Sequence, residues 1–233
     1  VLGEFASSDE EGVIPLSWVE AAIERWQQWH EAGAVMPPFY GVGVDVARSG
    51  EDRTVIAHRY GYIITQLSSY SKIDTMITAG RVAGILRHRG GKAIVDVIGL
   101  GAGVVDRLRE ESIPVEAFNS AERTDQTDIS GELGFVNKRS AAWWNFREML
   151  DPSKGSKICL PNDDFLIGDL TSPHWKEAGR GKIQIEAKDE IKKRLGRSTD
   201  MADAVVMVFS EPEYGIPFGW VELPEEESSY GGD

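Results

Sequence analysis

Apolar and polar positions along this chain follow two periods, one near 3.6 and one of 2, and the switches between them mark its elements. After a polar opening from Val1 to Glu11, Val13–Ile14–Pro15–Leu16–Ser17 leads into an amphipathic helix carried by Trp18, Ala21, Ile23, Trp26 and Trp29. Gly33 and Pro37–Pro38 end it. Three short β-branched runs follow, Tyr40–Ala47, Thr54–Tyr60 and Tyr62–Tyr70, separated by Ser49–Gly50–Glu51–Asp52 and by Gly61. Such runs joined by tight turns predict an antiparallel meander.

From Ile73 to Arg89 the spacing is helical again, and Gly90–Gly91 closes it. Lys92–Val97 reads as a strand running into Gly99–Leu100–Gly101–Ala102–Gly103, then a helix from about Val104 to Glu111 and a strand from Val115 to Phe118. This β-α-β order predicts parallel strands joined by a right-handed crossover. Ala121–Gly134 is rich in breakers and reads as a loop; Lys138–Leu150 is a helix bearing Trp143, Trp144 and Phe146. Pro161–Leu170 predicts a further helix with Asn162 as its cap, Lys182–Ile185 a short strand, and Asp200 the start of a last helix that ends before Pro212. The expected fold is α/β, a mixed sheet of three antiparallel strands followed by parallel strands, flanked by helices.

Composition changes this picture little, since 41% hydrophobic and 27% charged residues are ordinary for a globular domain. The single Cys159 leaves no internal disulfide, and neither a signal peptide nor a membrane-spanning run is apparent, which points to a reducing cytoplasm and no membrane. The net charge of -13 argues against a nucleic-acid partner until its distribution is considered. Acids crowd both ends, whereas Thr171–Thr199 carries Lys176, Arg180, Lys182, Lys188, Lys192, Lys193, Arg194 and Arg197. That stretch is either a local basic surface or a merely solvated loop.

The candidate chemistry lies in carboxylates. Asp45 stands mid-strand in Gly41–Val42–Gly43–Val44–Asp45–Val46, and Asp96 ends Ala93–Ile94–Val95–Asp96 at the sheet edge where open α/β sheets bind ligands. Asp200 and Asp203, three apart, share one face of the last helix. Acids so placed, with no strong cationic partner nearby in sequence, call for hard divalent cations such as Mg²⁺ or Mn²⁺; the lack of His and Cys ligands disfavours zinc. Each acid also has a structural reading. Asp200 and Asp203 suit the positive end of a helix, Asp45 can accept backbone amides, Asp96 can cap the next helix, and Asp52 belongs to good turn chemistry. The glycine run fits neither a dinucleotide nor a Walker phosphate loop.

An acid on the first strand, an acid ending the fourth and an acid on a late helix is the layout of ribonuclease H-like nucleases. More closely, the chain resembles the nuclease domain of viral terminase large subunits, through Gly43–Thr54, Val95–Asp96 with Gly99–Asp106, Phe135–Val136–Asn137–Lys138–Arg139, and Asp200–Met201–Ala202–Asp203–Ala204. The resemblance implies metal-dependent cleavage of double-stranded viral DNA concatemers during packaging, by two metal ions held on Asp45, Asp96 and Asp203, with Asp200 as a further ligand and Asp52 as an auxiliary acid. Some relatives carry His where this chain has Asp200. It further implies residues 1–38 as a linker and helix following an absent ATPase domain, 39–212 as the nuclease and 213–233 as an acidic tail. The implied partners are DNA, the ATPase domain, the small subunit and the portal, in the host cytoplasm. Lys138, Arg139, Lys192, Lys193 and Arg194 are the candidates for gripping phosphates. A Holliday-junction resolvase-like nuclease and a non-catalytic ribonuclease H-like binding module are the alternatives.

Overall fold

The computed structural model describes residues 12–47 and 52–210, so the polar opening, the turn at Ser49–Gly50–Glu51 and the tail expected at 213–233 lie outside the described residues. Helix α1 (Leu16–Glu31) leads into the meander β1 (Phe39–Asp45), β2 (Arg53–Tyr60) and β3 (Ile63–Ser71). Then come α2 (Thr75–Arg89), β4 (Lys92–Asp96), α3 (Gly101–Glu110) and β5 (Val115–Phe118). The five strands form one sheet in the order β3-β2-β1-β4-β5, antiparallel from β1 to β3 and parallel across β1, β4 and β5. Both halves of the expected sheet are present in this arrangement.

Period-2 alternation divides the sheet's residues between two cores. Val42 and Val44 of β1, Ile56 of β2 and Val95 of β4 pack with Val82 and Leu86 of α2 and Val104 and Leu108 of α3. The opposite face, through Val55 and Ala57, meets α4 (Lys138–Leu150), α5 (Asp164–Thr171) and α7 (Asp200–Val208). Val19, Ala22 and Ile23 of α1 are buried in this second core, so the helix expected within an N-terminal arm packs as part of the domain.

Two strands and one α-helix were not foreseen. A second sheet orders β6 (Gly134–Phe135), β8 (Lys182–Ile185) and β7 (Trp175–Glu177) as β6-β8-β7, of which the pattern predicted β8 alone. Strands of two and three residues are too short to show alternation. Helix α6 (Lys188–Leu195) buries only Ile191 and therefore shows no apolar stripe. The cap of α5 is also one residue later than expected: Asp163, not Asn162, accepts from the Leu166 N–H at 3.0 Å.

Helix α7 is fixed on the sheet by a close approach and by its two ends. Gly43 in β1 faces it, and a Cβ built there would lie 2.0 Å from the Ala204 carbonyl oxygen and 3.0 Å from Val208 Cβ. At the start of α7 the buried Asp169 accepts from the Met201 N–H at 3.1 Å. At its end the buried Arg59 lies between the Tyr40 and Phe209 rings, each 4.0 Å from the guanidinium carbon, and donates to the Val208 carbonyl at 2.9 Å.

Gly43→Ala inserts a methyl against backbone that has nowhere to go, and overpacking of this kind costs about 1–3 kcal/mol. The urea midpoint of the variant is expected to fall accordingly, with the slope of the transition unchanged. A midpoint equal to the parent's would mean α7 does not rest on Gly43.

Candidate functional site

The approach at Gly43 decides where the acids meet. Asp45 follows Gly43 by two strand residues, about 7 Å, and Asp200 precedes Ala204 by one helical turn, about 5 Å. Carboxylates from strand and helix thus reach the same point. What stands there is an ammonium: Lys188 Nζ lies 2.6 Å from Asp45 Oδ2, 3.0 Å from Asp200 Oδ1 and 3.3 Å from Asp203 Oδ2. Lys188 opens α6, and Lys192, one turn on, reaches Asp52 Oδ1 at 2.5 Å. One helix face therefore supplies a cation to each acid or group of acids beside it.

The remaining oxygens are held from outside the cluster. Asp203 Oδ1 accepts from Trp143 Nε1 at 3.1 Å and lies 3.5 Å from the Arg139 guanidinium, while Thr199 Oγ1 donates to Oδ2 at 2.9 Å. Asp200 Oδ2 accepts from the Arg53 N–H at 2.9 Å. Asp96 stands across the same cleft, accepting from the Ile98 N–H at 2.9 Å and from Ser120 Oγ at 3.3 Å. Asp52 lies at its rim, so the cleft, about 350 Å³ in volume, gathers all five acids singled out in the sequence.

Burial and crowding set the order in which these acids ionise. Burial pushes Asp45 up to about 7, the nearby Asp203 and Asp200 charges adding to the rise and Lys188 offsetting part of it. Burial also raises Asp96. Burial opposes the ionisation of Asp203 too, but Lys188, Arg139, Thr199 and Trp143 together outweigh it and hold its carboxyl below the usual carboxylate range. For Lys188 the three acids overcome burial and hold the ammonium well above its ordinary value. Of this pair Asp203 therefore carries its negative charge first, and Asp45 ionises after it.

The donor set suits a hard divalent cation, since three carboxylate oxygens from three side chains already surround one positive charge and none of the cleft-lining residues is His. The cage is not ready-made: among the described residues no three carboxyl, imidazole or thiol groups stand close enough to grip an ion as they are. An ion held here would need Lys188 to give up its contacts and the three acids to draw closer together. Four of the five residues expected to grip phosphates are already on protein carboxylates: Lys138 on Glu122, Arg139 on Asp203, Lys192 on Asp52 and Arg194 on Glu186. Sequence reading passed over Lys188 as a ligand-like group, and over Trp143, Thr199 and Asp169 as positioning groups. The signal was the Lys188–Lys192 spacing within the basic stretch.

No protein-family model matches the chain, and no curated protein matches it in sequence. Solved structures do match in fold. The nuclease domain of the large terminase subunit of bacterial virus Sf6, as a variant with manganese and β-thujaplicinol, superposes with a TM-score of 0.69 at 21% identity, covering 86% of this chain and 99% of that one. A variant of the same Sf6 domain with calcium gives the same values. The large terminase nuclease from thermophilic phage G20c, with bound magnesium, gives 0.56 at 12% identity, over 87% of this chain and 98% of that one. The chain shares the ribonuclease H-like fold of these domains over most of its length.

The raised Asp45 carboxyl makes a signed prediction. In the folded chain it keeps its proton to about pH 7, against 3.8 for an ordinary Asp, so in that window the native state binds more protons than the unfolded one and this group's contribution to stability falls as pH rises. Asp45→Asn removes that slope. Without metal, the variant is expected to lose less stability than the parent between pH 4 and 8, with Tm at pH 8 equal or higher by a few °C. Parallel pH profiles for the two would show that Asp45 is not held protonated.

Proposed function

We propose that this chain is a divalent-metal-dependent endonuclease domain that hydrolyses phosphodiester bonds of double-stranded DNA, of the kind found in the large subunit of a viral packaging terminase. The observation that carries the reading is the convergence of Asp45, Asp200 and Asp203, from a strand and a helix, on one half-buried cation. The fold supports it, because its likenesses are terminase nuclease domains described with manganese, calcium or magnesium. In this reading the physiological setting is the host cytoplasm, and the domain acts beside an ATPase domain, a small subunit and a portal.

Asp45, Asp96 and Asp203 would hold two Mg²⁺ or Mn²⁺ ions, with Asp200 as a further ligand and Asp52 as the auxiliary acid at the rim. When bound, such ions acidify water to a hydroxide nucleophile and neutralise charge on the leaving 3′ oxygen. The chain's own residues prepare that chemistry. Trp143 and Thr199 fix both oxygens of Asp203, so its orientation is set before any ligand arrives. Lys188 neutralises the cluster in the meantime and lets three crowded acids share a folded interior. Asp45, protonated up to about pH 7, has to release its proton when it becomes a ligand, so metal affinity is set to rise with pH to that point. A resolvase-like preference for branched DNA and a purely binding role have no observation of their own in their favour.

Incubation of supercoiled plasmid with the protein and Mn²⁺, against an EDTA control and an RNA duplex, tests the activity. Nicked and linear plasmid should appear with Mn²⁺ alone, and Asp45→Ala and Asp203→Ala should each lower the rate by at least a hundredfold while remaining folded. Cleavage by either variant at the parent rate would remove that residue from the ligand set.

Metal binding has a readout besides cleavage, because a ligand confined to the native state stabilises it by RT ln(1 + [L]/Kd). Millimolar Mn²⁺ should raise Tm in the parent, and more in Lys188→Ala, where the competing ammonium is gone and the unpaired acids destabilise the metal-free state. A Tm indifferent to Mn²⁺ in both proteins would rule out the centre.

A further inference from the structure

Resting on the nuclease reading above, we propose that the β7–β8 hairpin, through Lys176, Arg180 and Lys182, is the element that grips the phosphate backbone of duplex DNA beside the cleft. Around the cleft Lys138, Arg139, Lys188, Lys192, Arg194 and Arg197 each hold a protein carboxylate, and a phosphate must displace that partner to bind them. Lys176, Arg180 and Lys182 are exposed, and among the described residues their side chains hold no ion pair or hydrogen bond. In a chain of net charge -13, three uncommitted cations on one hairpin form a local field of the opposite sign.

The pleat puts two of them on one face of the strand pair that borders the site. Lys176 pairs in register with Gln184, and Lys182 precedes Gln184 by two residues, so all three share one face of the small sheet; Ile183 and Ile185 are buried on the other. Gln184 lines the acid cleft together with its neighbour Ile185, so the strand that carries Lys182 borders the cleft. Of the acids nearest the hairpin, three are turned away or hold a partner, while Asp189 of α6 lines the cleft itself. Glu177 pairs with Ile183 and so belongs to the opposite face, Glu186 takes the Arg194 guanidinium, and Glu190 accepts from the Ala187 N–H.

The hairpin tip adds an independent sign. Gly179, Arg180 and Gly181 all have positive φ, at 70°, 55° and 66°. The left-handed region is free to glycine and costly to arginine, yet the middle position carries the long cationic side chain. Strain kept where a glycine would relieve it points to a use for the side chain. Two lysines on a strand face and one arginine at the tip, all exposed, suit phosphates rather than base edges, so the grip is indifferent to sequence.

The test is binding of a fluorescent 30-base-pair duplex to the whole chain in Ca²⁺, as a function of salt, with melting curves in Mn²⁺ alongside. Lys176→Glu/Lys182→Glu should weaken binding at least tenfold and reduce the slope of log K against log salt by about 2, since each phosphate contact contributes about 0.9. Arg180→Gly should reduce that slope by about 1 while its Tm stays level or rises, a combination that loss of structure does not give. Lys154→Glu/Arg109→Glu, equal in charge change but remote from the cleft, should bind as the parent does, and every variant should keep the Mn²⁺-induced rise in Tm. If the parent binds and cuts duplex DNA but the hairpin variants keep its affinity and slope, the hairpin assignment falls and the nuclease reading stands. A parent that neither binds nor cuts duplex DNA overturns both.

Discussion

Everything at the acid cleft depends on the contact between α7 and the bare backbone of Gly43. A helix normally rides on a sheet at side-chain distance; here the Ala204 carbonyl oxygen occupies the space that any Cβ at position 43 would need. That approach brings Asp200 and Asp203 within reach of the cation that also touches Asp45, although strand and helix are separated by most of the chain. Apolar packing supplies the force and glycine the geometry, since Ala202, Ala204, Val205 and Val208 bury α7 in the core. The acids ride on an element placed for other reasons.

Such placement has an electrostatic cost, and Lys188 offsets it. Three carboxylates drawn into a buried corner repel one another and lose hydration, which is why Asp45 keeps its proton to about pH 7 while Asp203, better provided with donors, ionises first. Asp169 shows the same physics outside the cleft: burial raises it to about 6 even against Arg197, which binds one oxygen while the other accepts from the Met201 N–H. Arg197 and Lys188 each neutralise an acid that α7 needs at its first turn. The basic stretch therefore reads first as the counter-charge of an acidic site, and among its described cations only the hairpin's three and Lys193 remain uncommitted.

How much of this could be read from the sequence follows from the kind of signal each part leaves. The five-stranded sheet was legible because each strand alternates or runs apolar between strong breakers, and the order of helix and strand fixes which pairs are parallel. Asp45, Asp96, Asp200 and Asp203 were legible as acids in apolar surroundings, and the structure gathers them in one cleft. Their roles toward a metal are an interpretation of that placement. Lys188 left almost no trace: α6 buries one residue, so its period was invisible, and the partner Asp45 lies 143 residues away. The small sheet was missed for a similar reason, since β6 and β7 are too short for any periodicity to show. The expected DNA-gripping set failed to anticipate ion pairs, because a lysine's partner is chosen by folding and not by neighbours in sequence.

The clamps at the two ends of α7 carry a consequence for how this domain can change. Asp169 holds the first turn by the Met201 amide, and Arg59, wedged between two aromatic rings, holds the last by the Val208 carbonyl. Negative charge at the start and positive charge at the end also match the helix dipole. Pinned at both ends and seated on Gly43, the helix acts as a ruler: it cannot slide by less than a full turn without breaking all three contacts together. The spacing of its acids from the strand is thus a fixed dimension of the scaffold, and adaptation to a new substrate has to come through the loops and the small sheet around it.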